Sequence, residues 1–122
     1  MIFSDDNELK AALEKWQHLL GLDAWVIRAS IVRQMDMDDP DAEGHSNIVF
    51  SRRAALITIV DPVDYPPDAI VEQDMEQTFV HELLHLCFEG FAPKEDNMEY
   101  TLMEQEIDML ATTLVCLNRE TA

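Results

Sequence analysis

The residues best suited to chemistry fall in one short stretch, Thr78-Phe79-Val80-His81-Glu82-Leu83-Leu84-His85-Leu86-Cys87-Phe88. On a helix with ~3.6 residues per turn, His81 and His85 lie one turn apart on one face, so both imidazoles can reach a single ion. Glu82 is turned ~100° away from His81. It is badly placed as a third ligand but well placed to touch a water held by that ion. Zinc lowers the pKa of such a water toward ~7, and a neighbouring carboxylate can take its proton as it attacks a carbonyl. Five-residue patterns with two free positions do recur by chance, mostly as surface or core histidines. Here Val80, Leu83, Leu84, Leu86 and Phe88 make the helix apolar nearly all round. Two histidines and a glutamate in so buried a helix are costly without a shared partner such as a metal. The expectation is a metal site with His81 and His85 as ligands and Glu82 as catalytic base.

Catalytic zinc commonly keeps three protein ligands and one open position. The next helical stretch offers Glu99, Glu104, Glu106 and Asp108. Eighteen residues separate His85 from Glu104, and Asp108 follows Glu104 by one helical turn. On a helical wheel, Glu104 and Glu106 flank the apolar stripe of Tyr100, Met103, Ile107 and Leu114 about equally, one on each side. The spacing and the partner Asp108 favour Glu104, with Glu106 as its competitor.

H-E-x-x-H followed after eighteen residues by a glutamate resembles the gluzincins, the group of zinc metallopeptidases that includes thermolysin. The resemblance implies a zinc site made by His81, His85 and Glu104, with Glu82 as general base and acid. It also implies that Asp108 orients His81, a linkage that fixes the imidazole tautomer and raises ligand basicity. In size the chain is similar to the minigluzincins and to short H-E-x-x-H proteins of phage and prophage genomes. These share an N-terminal helix, a small sheet, an active-site helix and a glutamate helix. At residue level the likeness rests on residues 78–88 and 103–115. Larger members supply a tyrosine or histidine that stabilises the tetrahedral intermediate. Tyr100, one turn before Glu104, and Tyr65 are the candidates here, and Tyr100 also reads as a core residue.

The elements that must position these residues follow from periodicity. Residues 5–20 form a helix, with Ser4, Asp5 and Asp6 as cap oxygens and Leu9, Leu13, Trp16 and Leu20 as its apolar stripe. Gly21 ends it. Trp25, Ile27, Ala29 and Ile31 alternate along a strand over 24–33. Residues 34–44 are an Asp-rich loop whose spacing does not match a calcium-binding EF-hand. Strands over 46–51 and 54–60 form a hairpin around Ser51-Arg52-Arg53, with Ile57 and Ile59 facing one way and Leu56, Thr58 and Val60 the other. Prolines 62, 66 and 67 forbid regular structure over 61–68. A helix runs from Glu72 to about Gly90, and after Ala92-Pro93-Lys94 a last one covers 97–118. The order predicts an α+β, zincin-like domain over residues 1–122. In it, a strand between 46 and 60 exposed at the sheet edge would bind a peptide by strand addition.

Composition narrows the partners. With 25 acidic and 8 basic residues among 122, the net charge is −17. That balance disfavours nucleic acid and anionic lipid. It fits either simple solubility or a cationic substrate or partner. Cys87 and Cys116 are too few for a disulfide framework and suit a reducing compartment. No apolar run approaches the ~20 residues of a membrane span, and the first residues show no signal-peptide pattern, so a cytoplasmic protein is expected. Cys87 is read as a packed thiol, Trp16 and Trp25 as core. Arg52 and Arg53 are read as an exposed turn pair, and His18 and His45 as surface histidines. Three functions remain in view: a zinc peptidase acting on peptide or protein substrates, a non-proteolytic metal-binding module on the same scaffold, and a helical interaction protein in which the motif is accidental.

Overall fold

The computed structural model describes residues 1–121. Helix α1 (Asp6–Leu19) is followed by strands β1 (Val26–Val32), β2 (Gly44–Val49) and β3 (Ala54–Val60), then by helices α2 (Met75–Phe88) and α3 (Met98–Thr121). Asp5 caps α1 by accepting a hydrogen bond from the Glu8 N–H at 3.0 Å. Leu9, Ala12, Leu13 and Trp16 form its buried stripe. Gly21 turns the chain out of the helix in the left-handed region (φ 71), where a side chain would be strained.

The sheet has the order β1-β3-β2, with β1 parallel and β2 antiparallel to the central β3. Gly44, Ser46 and Ile48 stand opposite Ile59, Ile57 and Ala55. They share the face that α2 covers, because side chains alternate along a strand. Ala55, Ile57 and Ile59 from β3 join Phe79, Val80, Leu83, Leu84 and Leu86 from α2 in the core. Helix α1 closes the β1 end of that core, while α3 lies against α2 and contributes Ile107, Ala111 and Val115. The architecture is therefore α+β, three helices and a three-stranded mixed sheet, as the sequence predicts.

Several boundaries move, each for a local reason. Helix α2 starts at Met75 and not Glu72, because the Asp74 carboxylate caps it through the Gln77 N–H at 3.2 Å. It ends at Phe88, and Glu89–Phe91 tightens into a 3₁₀ turn. Strand β2 begins at Gly44, two residues early, and stops at Val49, where Phe50–Arg52 form another 3₁₀ turn closed by Arg53 at φ 47. The prolines of 61–68 admit one such turn, Pro62–Asp64. Within the acidic loop Met37 is buried while its aspartates stay outside. Helix α3 extends to Thr121. Its last turns carry Arg119, which binds both Asp74 (2.9 Å) and Glu76 (3.1 Å) of the α2 N-terminus. No helix among the described residues is long and apolar enough to cross a membrane.

Candidate metal centre

Helix α2 is apolar around most of its circumference and buries Glu82 (8% exposed), with His81 and His85 only a little more open. The α3 carboxylates arrive from the neighbouring helix. Glu104 lies against both histidines, its Oε1 2.5 Å from His85 Nε2 and its Oε2 3.5 Å from His81 Nε2. One ligand atom from each of His81, His85 and Glu104 lies within 4.8 Å of the others. One turn further, Asp108 Oδ1 sits 3.3 Å from His81 Nδ1. An Nδ1–H donating there leaves the His81 Nε2 lone pair facing Glu104. Glu106 and Glu99 are exposed and take no part. Of the two glutamates that flank the α3 stripe, Glu104 faces the histidine pair.

The fit of a cation to these atoms can be judged from what they lack. Glu104 Oε1 is buried and accepts no hydrogen bond of proper geometry, although His85 Nε2 touches it. Two electron-rich atoms so close without a hydrogen aligned between them repel each other. A shared proton would relieve that one contact. A cation relieves all three ligand atoms together, and two imidazoles plus a carboxylate suit a divalent transition metal.

Glu82 stands beside this group. Burial pushes its carboxyl above the usual range, and Glu104 adds to that, against the opposing pull of His81, His85 and the Ser46 hydroxyl. Strand β2 comes very close over it. A Cβ on Gly44 would meet Thr78 Cγ2 at 2.7 Å and Glu82 Cγ at 3.2 Å, so only glycine lets the strand approach the helix here. The cleft left between β2, α2 and α3 has two lobes that meet at Gly44, Glu82 and Glu104. One, of about 330 Å³, runs past Thr78 toward Tyr65 and Val71. The other, of about 500 Å³, runs past His85 toward Tyr100 and Glu95.

The tyrosines divide between the lobes. Tyr65 donates its hydroxyl to the Val71 carbonyl at 2.7 Å. Tyr100 stacks on His85 (centroids 6.4 Å apart, 24° between planes). Burial, then Glu104, Glu95, Glu82 and Glu89, push the Tyr100 phenol up to about 12, so it keeps its proton. Tyr100 is therefore half-buried beside the site, and not simply core.

Other assignments are settled by position. Cys87 is exposed and not packed, since the turn of α2 that carries it away from the ligands also carries it away from the core. Trp16 is core, and Trp25 packs half-buried against it and Phe50. His18 is exposed beside Asp23. His45 falls on the β2 face opposite the helices, 3.6 Å from Asp38, though its residue contributes to the wall of the larger lobe. Arg52 and Arg53 are exposed at the β2–β3 turn. Gly44 and Ser46, on the strand that roofs Glu82, belong to no motif in the sequence. The small residues that begin β2 were the available signal. Glu76, buried six residues before Glu82 on the same helix, belongs to none either.

No family model matches the sequence, and neither a curated protein nor a solved structure matches the chain.

Proposed function

We propose that this chain is a zinc-dependent hydrolase of the gluzincin type, acting as a peptidase, with His81, His85 and Glu104 as ligands. The observation that carries the reading is the convergence of those three residues from two helices, with an unshared buried Glu104 oxygen among them and Glu82 alongside in an open cleft. Two imidazoles and one carboxylate are a common protein ligand set of catalytic zinc. Zinc held by these residues would supply Lewis acidity and the activation of a water at neutral pH.

The chain's own residues supply the rest. Asp108 fixes the His81 ring by its Nδ1. Glu82 takes the proton of the attacking water and hands it to the leaving amine, a shuttle its buried position favours. Tyr100, protonated at neutral pH, is a donor at the cleft wall for negative charge on the carbonyl oxygen. Strand β2 is an edge strand, so the backbone groups it turns away from β3 are free to pair with an extended peptide. The central β3 has no such edge.

The test is cleavage. Zinc-loaded protein incubated with a mixture of unstructured peptides should cut them, lose that activity to a chelator, and regain it with zinc, as read by mass spectrometry of the products. A protein that holds zinc and cuts nothing fits a second reading, a metal-binding module acting through its surface. What favours that reading is the outer face of α3, where Met98, Leu102, Met109 and Leu117 stand exposed.

A further inference from the structure

The sheet has a second face, turned away from the helices, and the chain covers only half of it. Met37 and Val60 are buried, yet both lie outside the core beneath α2. Val60 alternates with Ile59 and so points to the outer face, where His45 stands 3.6 Å from Asp38. The acidic loop of residues 34–44 therefore lies over the Val60 end. The other end is bare. Val26 of β1, Val49 of β2 and Leu56 of β3 are exposed there around a hollow of about 250 Å³. A sheet face that stays in water carries polar residues at such positions.

The charge around this hollow runs against that of the chain. In a molecule of net charge −17, Arg28 lines the hollow, and Arg52 and Arg53 sit on the turn at the same end of the sheet. All three are exposed and form no ion pair among the described residues, whereas Lys15, Arg33 and Arg119 each hold a carboxylate. A second unpartnered face has the opposite sign. On α3, Met98, Leu102, Met109 and Leu117 are between 52% and 70% exposed. By the ~100° step of a helix, Glu99, Glu106 and Glu120 share that outward half, opposite the buried Ile107, Ala111 and Val115. These glutamates also are exposed and form no ion pair among the described residues.

We propose that α3 of one copy of this chain docks on the bare half of the sheet of a second copy. Its apolar stripe then covers Val26, Val49 and Leu56, and its glutamates meet Arg28, Arg52 and Arg53. The two faces lie on opposite sides of the molecule, because α2 packs between α3 and the sheet. The symmetric alternatives bring like charges together: sheet on sheet sets the arginines against their copies, and α3 on α3 sets the glutamates against theirs. The crossed contact alone covers both apolar faces and pairs both charges. Being head-to-tail, it leaves one face of each kind free at the ends of a pair, so it grows past the dimer. The inference is independent of the hydrolase reading, since neither face contains a metal ligand or Glu82.

Analytical ultracentrifugation with two charge-reversed variants tests it. The mass of the native chain should climb past that of a dimer between micromolar and near-millimolar concentration. Arg28→Glu/Arg52→Glu and Glu99→Lys/Glu106→Lys should each stay monomeric, because each gives both faces of its own chain the same sign. Mixed in equal amounts they should regain the growth of the native chain. The acidic sheet of the first fits the basic helix of the second, and the remaining two faces are a native pair. That recovery also requires both variants to be folded. A native chain that stays monomeric overturns the proposal, as does a native dimer that grows no further. So do variants that associate alone, or a mixture that does not recover. A monomeric native chain that sediments with phosphatidylserine vesicles, and loses that binding in Arg28→Glu/Arg52→Glu, gives the face to lipid and overturns the second copy.

Discussion

Helix α2 buries two glutamates, Glu76 (2% exposed) and Glu82 (8% exposed), less than two turns apart, and the chain treats them in opposite ways. Glu76 is surrounded by donors. Trp16 Nε1 reaches it at 2.9 Å, Lys15 at 3.1 Å, and Arg119 at 3.1 Å, so one carboxylate joins α1, α2 and α3. Burial alone would raise its pKa, but the hydrogen bonds from Trp16 and Lys15, the Lys15 charge and Arg119 outweigh it and hold the group below its ordinary value. Among the described residues no lysine or arginine acts on Glu82. Its neighbours are two histidines, a serine and a further carboxylate, and its pKa is pushed up by burial. The first carboxylate is consumed by structure. The second is left available, at a cost the fold accepts only at the cleft.

Replacing each by glutamine should separate them. Glu82→Gln keeps the shape of the side chain and removes the proton acceptor. Peptide cleavage should fall by ~10²–10⁴-fold, the range for a positioned acid–base group, while the urea unfolding midpoint stays level or rises. Glu76→Gln should do the reverse. The Lys15 and Arg119 side chains are 43% and 42% exposed and regain water. The loss should therefore lie below that of a fully buried broken pair, at ~2–3 kcal/mol in urea denaturation, with kcat little changed.

The acid limb of stability sharpens the contrast. For Asp74, burial raises the pKa but the Arg119 hydrogen bond and the Gln77 N–H outweigh it, so it is lowered like Glu76. Carboxylates lowered in the folded state add stability that is complete above their ordinary values, 3.8 for Asp74 and 4.5 for Glu76. It is lost as pH falls through the lowered values. Metal-free protein should therefore lose thermal stability below about the ordinary carboxylate range, and Glu76→Gln should flatten that loss. An acid limb unchanged in the variant would contradict the role given to Glu76.

Gly44→Ala tests the roof over Glu82. The new methyl meets Thr78 Cγ2 at 2.7 Å, a short β-branched side chain with little room to give. Overpacking of this kind costs ~1–2 kcal/mol, and because it pushes on Glu82 the loss of kcat should exceed what that instability explains. Alanine at Glu106, exposed on α3, should shift stability by no more than ~0.5 kcal/mol.

Much of this was legible in the chain. The 3.6-residue stripe of α1, the alternation in β1 and β3, and the apolar wrapping of His81-Glu82-x-x-His85 gave elements of the right type in the right order. The spacing to Glu104 and Asp108 gave the residues that α3 brings to the histidines. What the chain concealed depends on contacts far apart in sequence. The start of α2 is set by Asp74 as a cap, whereas Glu72 fits the helical period equally well. Glu76 reads as an ordinary first-turn acid until Lys15 and Arg119, 61 and 43 residues away, arrive beside it. The cleft needs β2 at the sheet edge with Gly44 above Thr78, and strand order is not written in local periodicity. Spacing and the partner Asp108 favour Glu104 over Glu106, but the apolar stripe flanked by both does not separate them; the rotation of α3 against α2 does.

The most direct test of the account is metal stoichiometry by mass spectrometry, on native protein and on Glu104→Ala and Glu106→Ala, after dialysis against dilute zinc at neutral pH. One zinc per chain is expected in the native protein and in Glu106→Ala, and none retained in Glu104→Ala. A native chain that takes up no zinc, or a Glu104→Ala chain that holds it as tightly as the native one, would contradict the site.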